Sequence, residues 1–339
     1  MECRTCSRAD EQGQADDNHR PKATSPLLVI VSLDVEEEGL FSGRYASSDC
    51  TVRNVSLLPR LAPLTRELGF PLTLFCTHTV FASIEARPVL AFMRDHCNAE
   101  IAAHLHHWST PPLHEANPVA APTRTDKLPR DLLNQRLQAL FRAGREFQGA
   151  PLTSFRMGRW DLKGTVRPLL REHGVTVDSS VCPLRVFKNG PDHFLAPPDP
   201  YWCDDLLEAP VTQVAIWPLS ARLWHRRAPS GMLDRFHFFG VASANPVWHA
   251  ARVMRLAARL HVRRGGRVLT LFWHSSELLP GASPHIRNEN DADRLVKKIY
   301  NYLKWIKEKF PVQGVTAAQL YGMPLAFPRA HPGKGQGDW

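Results

Sequence analysis

The chain has 339 residues, 43% of them hydrophobic and 22% charged, with a formal net charge of +9. This is ordinary globular composition, enough for one large α/β domain or two small ones, and it excludes a fibrous or wholly disordered chain. No apolar run approaches the roughly 20 residues of a membrane span, and the N-terminus lacks an apolar export core, so a cytoplasmic location is expected.

Residues 1–25 are polar without apolar period and are expected to form a disordered tail. Cys3 and Cys6 make half a zinc knuckle with no second pair nearby, so no metal is expected there. The seven cysteines are widely spread and odd in number, which suits reduced thiols. Leu27–Leu33 is a continuous apolar run, the pattern of a strand buried on both faces. Similar runs follow at 72–76, 100–103, 152–155, 175–177 and 268–273. Between them lie helical periods over 132–147 and 292–310; acids open the second and lysines close it, complementing the helix dipole. Strands alternating with helices predict a parallel sheet, and about seven strands predict an incomplete, distorted (β/α)7 barrel. Residues 183–246 break the rhythm, with many prolines and aromatics and one possible strand pair near 206–217. They are expected to form an insertion at the mouth of a single domain spanning 26–325, with a tail over 326–339.

Chemistry-bearing residues cluster where the apolar runs end, and strand ends of a parallel barrel open onto one face. In extended chain, residues i and i+2 point the same way, so His104 and His106 can converge on one ion while His107 turns away. Asp34 and Glu36 share that spacing. Two imidazoles and a carboxylate with open positions form a catalytic zinc set. Amide hydrolysis also needs a base and an acid: Asp34 suits the first role, and His274, closing the last apolar run, the second. Arg156 is placed to keep Asp34 ionised, and backbone N–H groups near Gly158 to meet a developing oxyanion.

The order Asp34-Val35-Glu36, His104-Leu105-His106-His107-Trp108, Phe155-Arg156-Met157-Gly158, Val177-Asp178 and Phe272-Trp273-His274 resembles the polysaccharide deacetylases, the NodB-homology or carbohydrate esterase family 4 proteins. The resemblance covers roughly 27–182 and 266–322. It implies Asp34 as base, Glu36, His104 and His106 as ligands of zinc or another divalent metal, Arg156 as the tether of the base, and Asp178 as the residue orienting His274. The family's usual Pro-Tyr after the arginine is missing, and Trp108 stands where its second metal histidine usually falls. His-Leu-His-His-Trp-Ser-Thr-Pro-Pro and His-Ser-Ser-Glu-Leu-Leu-Pro-Gly are similar to the WalW- and WbmS-like deacetylases, a bacterial subgroup associated with O-antigen-type surface polysaccharide.

The resemblance implies an N-deacetylase or deformylase acting on an acylamino sugar, with a non-catalytic glycan-binding barrel as the alternative. An N-acylated sugar, nucleotide- or lipid-linked, is the expected partner, and nucleic acid is not. The basic helical stretches 252–264 and 297–309 are expected to be solvated faces, or to meet phosphate or an anionic membrane peripherally.

Overall fold

The computed structural model describes residues 25–43, 45–47, 49–113, 123–330 and 337–339. The expectation of a disordered tail falls, but for Ser25, outside them. Eleven strands appear in chain order: β1 (Leu27–Val35), β2 (Leu72–Cys76), β3 (Glu100–Leu105), β4 (Ser154–Met157), β5 (Val177–Asp178), β6 (Tyr201–Cys203), β7 (Leu206–Glu208), β8 (Gln213–Ala215), β9 (Val241–Ser243), β10 (Val268–His274) and β11 (Val312–Gly314). Seven run parallel in the order β10-β1-β2-β3-β4-β5-β7, with β6 antiparallel beyond β7. β11 pairs with the first residues of β1, and β2 with its last. This curled parallel sheet is the incomplete barrel that strand–helix alternation predicts.

Side-chain alternation sorts the barrel into layers. From β1, Val29, Val31, Leu33 and Val35 join the outer core between sheet and helices. Leu28 and Ile30 point the other way, into the barrel. Continuing that inward parity places Ser32 and then Asp34 above an apolar floor. β3 repeats the arrangement, with Ala102 in the floor and His104 above it. Burial of each such apolar side chain contributes about 1.5–3 kcal/mol, so the layering is strongly held, and a one-residue register slip would turn Asp34 into the outer core.

The barrel is not closed by a strand pair between β7 and β10. Thr212 bridges the gap instead, donating its N–H to Thr270 O and accepting the Thr270 N–H on its hydroxyl. Asn245 adds a bond from its side-chain amide to Phe272 O. Residues 183–246 therefore supply part of the wall: β7 lies in the main sheet, and β8 and β9 pair as a small second sheet. Residues 326–330, expected as a tail, run along β6, where Trp202 exchanges backbone bonds with Pro328 and Ala330. The five cysteines among the described residues are free thiols.

The predicted helices appear at Arg130–Gln148 and Glu289–Lys309. The second starts one turn before its apolar period because Asn288 caps it, accepting the Asp291 N–H.

Candidate active site

Strand register brings the expected residues to one level. Asp34 pairs with His274 across β1–β10, and His104 with Arg156 across β3–β4. The runs read as ending before His104 and Arg156 extend through them, because parallel pairing continues to Leu105 and Met157.

Glu36, His104 and His106 offer ligand atoms within 4.8 Å of one another, and all three are buried. Glu36 Oε2 lies 3.3 Å from His106 Nε2 and 3.7 Å from His104 Nε2. Each imidazole is fixed through its other nitrogen. His104 Nδ1 donates to Arg156 O at 2.9 Å, and His106 Nδ1 donates to Glu37 Oε1 at 2.8 Å. Both Nε2 lone pairs therefore face Glu36, the arrangement in which histidines hold a metal. Glu37 also accepts from Ser109 Oγ, while its second oxygen is buried without a hydrogen-bond partner. The backbone of Glu36 is held by Asn54, whose amide reaches Glu36 O and Ser275 Oγ. His107 faces away, its ring bonded to Thr123 O and Arg136, so the i, i+2 parity holds here.

Electrostatics at this cluster favour a cation. Burial raises the Glu36 carboxyl, but His274, His104 and His106 hold it well below the usual carboxylate range. Burial disfavours charge on His106, yet Glu37 and Glu36 outweigh it and push the imidazole up to about 10. His107, buried beside Arg136, falls to about 4. The donors, their orientation and the field thus fit a divalent ion.

Asp34 stands beside this triad. Its Oδ1 accepts from Arg156 Nη1 at 2.6 Å, and its Oδ2 lies 3.9 Å from His104 Nε2 and 3.8 Å from His274 Nε2. Arg156 is fully buried, with every donor group engaged: Nη2 reaches Ser32 and Ser179 hydroxyls, Nε reaches Ser179 O, and the guanidinium lies 4.2 Å over Phe75. His274 is flanked by Phe41, edge-on at 5.1 Å. Burial lowers its pKa, but Glu36, Glu277 and Asp34 together push it up to about 9.

Two residues absent from the sequence expectation complete the site. Glu277 accepts the His274 backbone N–H at 2.9 Å, and its Oε2 lies 3.3 Å from His274 Nδ1. Their i, i+3 spacing in His-Ser-Ser-Glu is a capping-box signal that was available to find it. Glu37 is the other, hidden in a run of three glutamates; the third, Glu38, pairs with Arg53.

Asp178 is not the residue that meets His274. It accepts from Ser180 Oγ and stands opposite Glu208 on β7, with Arg167 nearby. Burial raises both carboxyls, Glu208 the further, with the charge of Asp178 adding to the effect. The reason for the difference is β7, which brings a second acid to β5. Gly158 has a packing role: a Cβ there would lie 2.4 Å from His106 Cδ2 and 2.6 Å from Leu105 O. Trp108 stacks on His106 with ring centroids 4.3 Å apart.

No family profile and no curated protein matches the chain. Solved structures do. A protein from Mycobacterium smegmatis assigned as a polysaccharide deacetylase superposes with a TM-score of 0.53 at 15% identity, over 90% of this chain and 94% of that one. Another so assigned, from Pseudomonas aeruginosa PAO1, gives 0.54 at 14%, over 87% and 89%. PuuE allantoinase gives 0.53 at 13%, over 87% and 89%. At such identities the likeness is one of architecture, and the chain has the distorted barrel of the polysaccharide deacetylases and of that allantoinase.

Proposed function

We propose that the protein is a metal-dependent N-deacetylase or deformylase of an acylamino sugar in surface-polysaccharide biosynthesis, of the WalW- and WbmS-like kind. The observation that carries this reading is the juxtaposition, within one buried cluster, of a Glu36/His104/His106 donor set, a tethered carboxylate and a carboxylate-backed imidazole. A glycan-binding barrel has no need of the last two. A divalent metal, zinc in the simplest case, would be held by Glu36, His104 and His106, polarising the acyl oxygen and acidifying water.

In this reading Asp34 takes the proton of the attacking water. Arg156 serves it by fixing the carboxylate, donating to Oδ1 at 2.6 Å. His274 gives the proton that the leaving amine requires, from Nε2, while Glu277 fixes Nδ1 and the ring's orientation. One water adds to the acyl carbon, the C–N bond breaks, and the products are a carboxylate and an amine.

The test is release of acetate or formate from free, nucleotide-linked and lipid-linked N-acyl sugars, with and without a chelator. Metal-loaded protein should release acid, and Asp34→Asn or His274→Ala should slow release about 10²–10⁴-fold while retaining metal. No release from any acylamino sugar by metal-loaded protein would replace this reading with the glycan-binding one.

A further inference from the structure

We propose that the face carried by residues 217–239 is a docking surface for an anionic lipid bilayer. Within the helix Pro218–Arg227, Leu219, Arg222, Leu223 and Arg226 follow the i, i+3, i+4, i+7 spacing of one stripe, and all four are exposed. The opposite stripe packs inward through Ala221 and through Trp224 and His225 against Phe236 and Phe194. The helix thus turns leucines outward, the reverse of what burial of a soluble helix would dictate.

The stripe continues beyond the helix. Ile216 N–H bonds to Gly240 O, which draws the two ends of the segment together and sets Trp217 near Phe238 and Phe239. Trp217 is 73% exposed, Leu219 76% and Phe238 79%. Phe239 packs edge-on against Trp224 at the helix shoulder and is still more than half exposed. Large apolar side chains exposed together on one short segment mark an interaction site.

Charge selects the partner. Between Trp217 and Phe239 the sole acid is Asp234, and Arg185 neutralises it. Arg222, Arg226, Arg227 and Arg235 are left to set the sign of the face. Outward tryptophan, phenylalanine and leucine interleaved with arginine fit the boundary between headgroups and acyl chains, where apolar rings insert and arginine stems snorkel to phosphate. Among the described residues no helix is long and apolar enough to cross a membrane, so the contact is peripheral. The helices first suspected of meeting anions are partly engaged internally. Arg255 and Arg259 both lie over Trp305, and Lys307 bonds Leu68 O.

The experiment is co-sedimentation of the full chain with vesicles of phosphatidylcholine, or of phosphatidylcholine and phosphatidylglycerol in equal parts. Wild type should partition onto the mixed vesicles more strongly than onto the neutral ones. Leu219→Asp with Leu223→Asp should lower partitioning at least about tenfold, the scale of withdrawing two leucines from lipid. Arg222→Gln and Arg226→Gln should each lower it roughly fivefold on mixed vesicles alone. These positions are exposed, so the thermal midpoint should stay at the wild-type value and show that loss of binding is not loss of fold. Failure of wild type to sediment with either vesicle, or undiminished binding by the leucine variant, overturns the proposal. So does a fall in molar mass by light scattering in the leucine variant without loss of vesicle binding, which would make the face a contact between copies of the chain.

Discussion

Replacing Arg156 by Met should destabilise the protein by about 3 kcal/mol and uncouple the candidate base. Arg156 is fully buried and donates to Asp34 at 2.6 Å, to the hydroxyls of Ser32 and Ser179, and to Ser179 O. Methionine keeps the stem volume over Phe75 but removes every donor. Breaking a buried pair from one side costs about 3–5 kcal/mol, because the other charge is left behind. The lower end applies, since Asp34 Oδ2 still has the imidazoles of His104 and His274 at 3.9 and 3.8 Å. Asp34→Asn should cost less, about 1–2 kcal/mol, because the amide oxygen can still accept from Arg156. The double variant then tests the pair directly: with the carboxylate already gone, loss of the guanidinium should cost about 2 kcal/mol less than it does alone. Urea midpoints measured in chelator, where bound metal cannot contribute, give the cycle. Additivity within about 0.5 kcal/mol would refute the claim that Arg156 is held there by Asp34.

Three further outcomes are expected. His104→Ala, His106→Ala and Glu36→Ala should each lose a divalent ion by metal analysis and His107→Ala keep it, while Glu37→Gln should weaken binding about 10–100-fold. Binding of the ion at neutral pH should release about one proton, read by calorimetry in buffers of different ionisation enthalpy, because His106 titrates at about 10 without metal; no release would contradict the assigned ligand. His274 is raised from 6.5 to about 9, so in metal-free protein its proton stabilises the fold fully below pH 6.5, and that contribution is lost as pH rises through about 9. In the metal-loaded enzyme Glu277 still backs His274 Nδ1, so Glu277→Gln should move the alkaline limb of a kcat–pH profile to lower pH.

How much of this was legible depended on how local each cause is. The inward parity of Ser32 and Asp34 follows from one apolar run, and the facing of His104 against His107 from strand geometry, so both could be read from sequence. Glu37 could not, because its partner His106 is 69 positions away and three adjacent glutamates look solvated. Glu277 could have been found as a cap three residues after His274. The role given to Asp178 came from resemblance alone; a strand near 206 was expected, but not its pairing with β5, which sets Glu208 opposite Asp178. Nor does any sequence pattern show that Thr212, within residues 183–246, joins Thr270 across the barrel seam through its N–H and its hydroxyl.

Charge balance explains why these parts belong together. Asp34, Glu36, Glu37 and Glu277 are four buried carboxylates around the site, and among the described residues Arg156 is the guanidinium bonded within them. Such an excess of negative charge would cost several kcal/mol per unpaired ion. A divalent ion beside Glu36 would offset more of that charge than a monovalent one. Without the ion, protons answer the same field, which is why both His106 and His274 are raised. One device, a carboxylate at Nδ1, therefore serves two purposes. At His106 it backs the proposed ligand, whose Nε2 faces Glu36 at 3.3 Å. At His274 it backs the proposed acid, whose Nε2 faces Asp34 at 3.8 Å. His104 Nδ1 meets the backbone carbonyl of Arg156 instead, a bond that ties β3 to the neighbouring β4 at the level of the site.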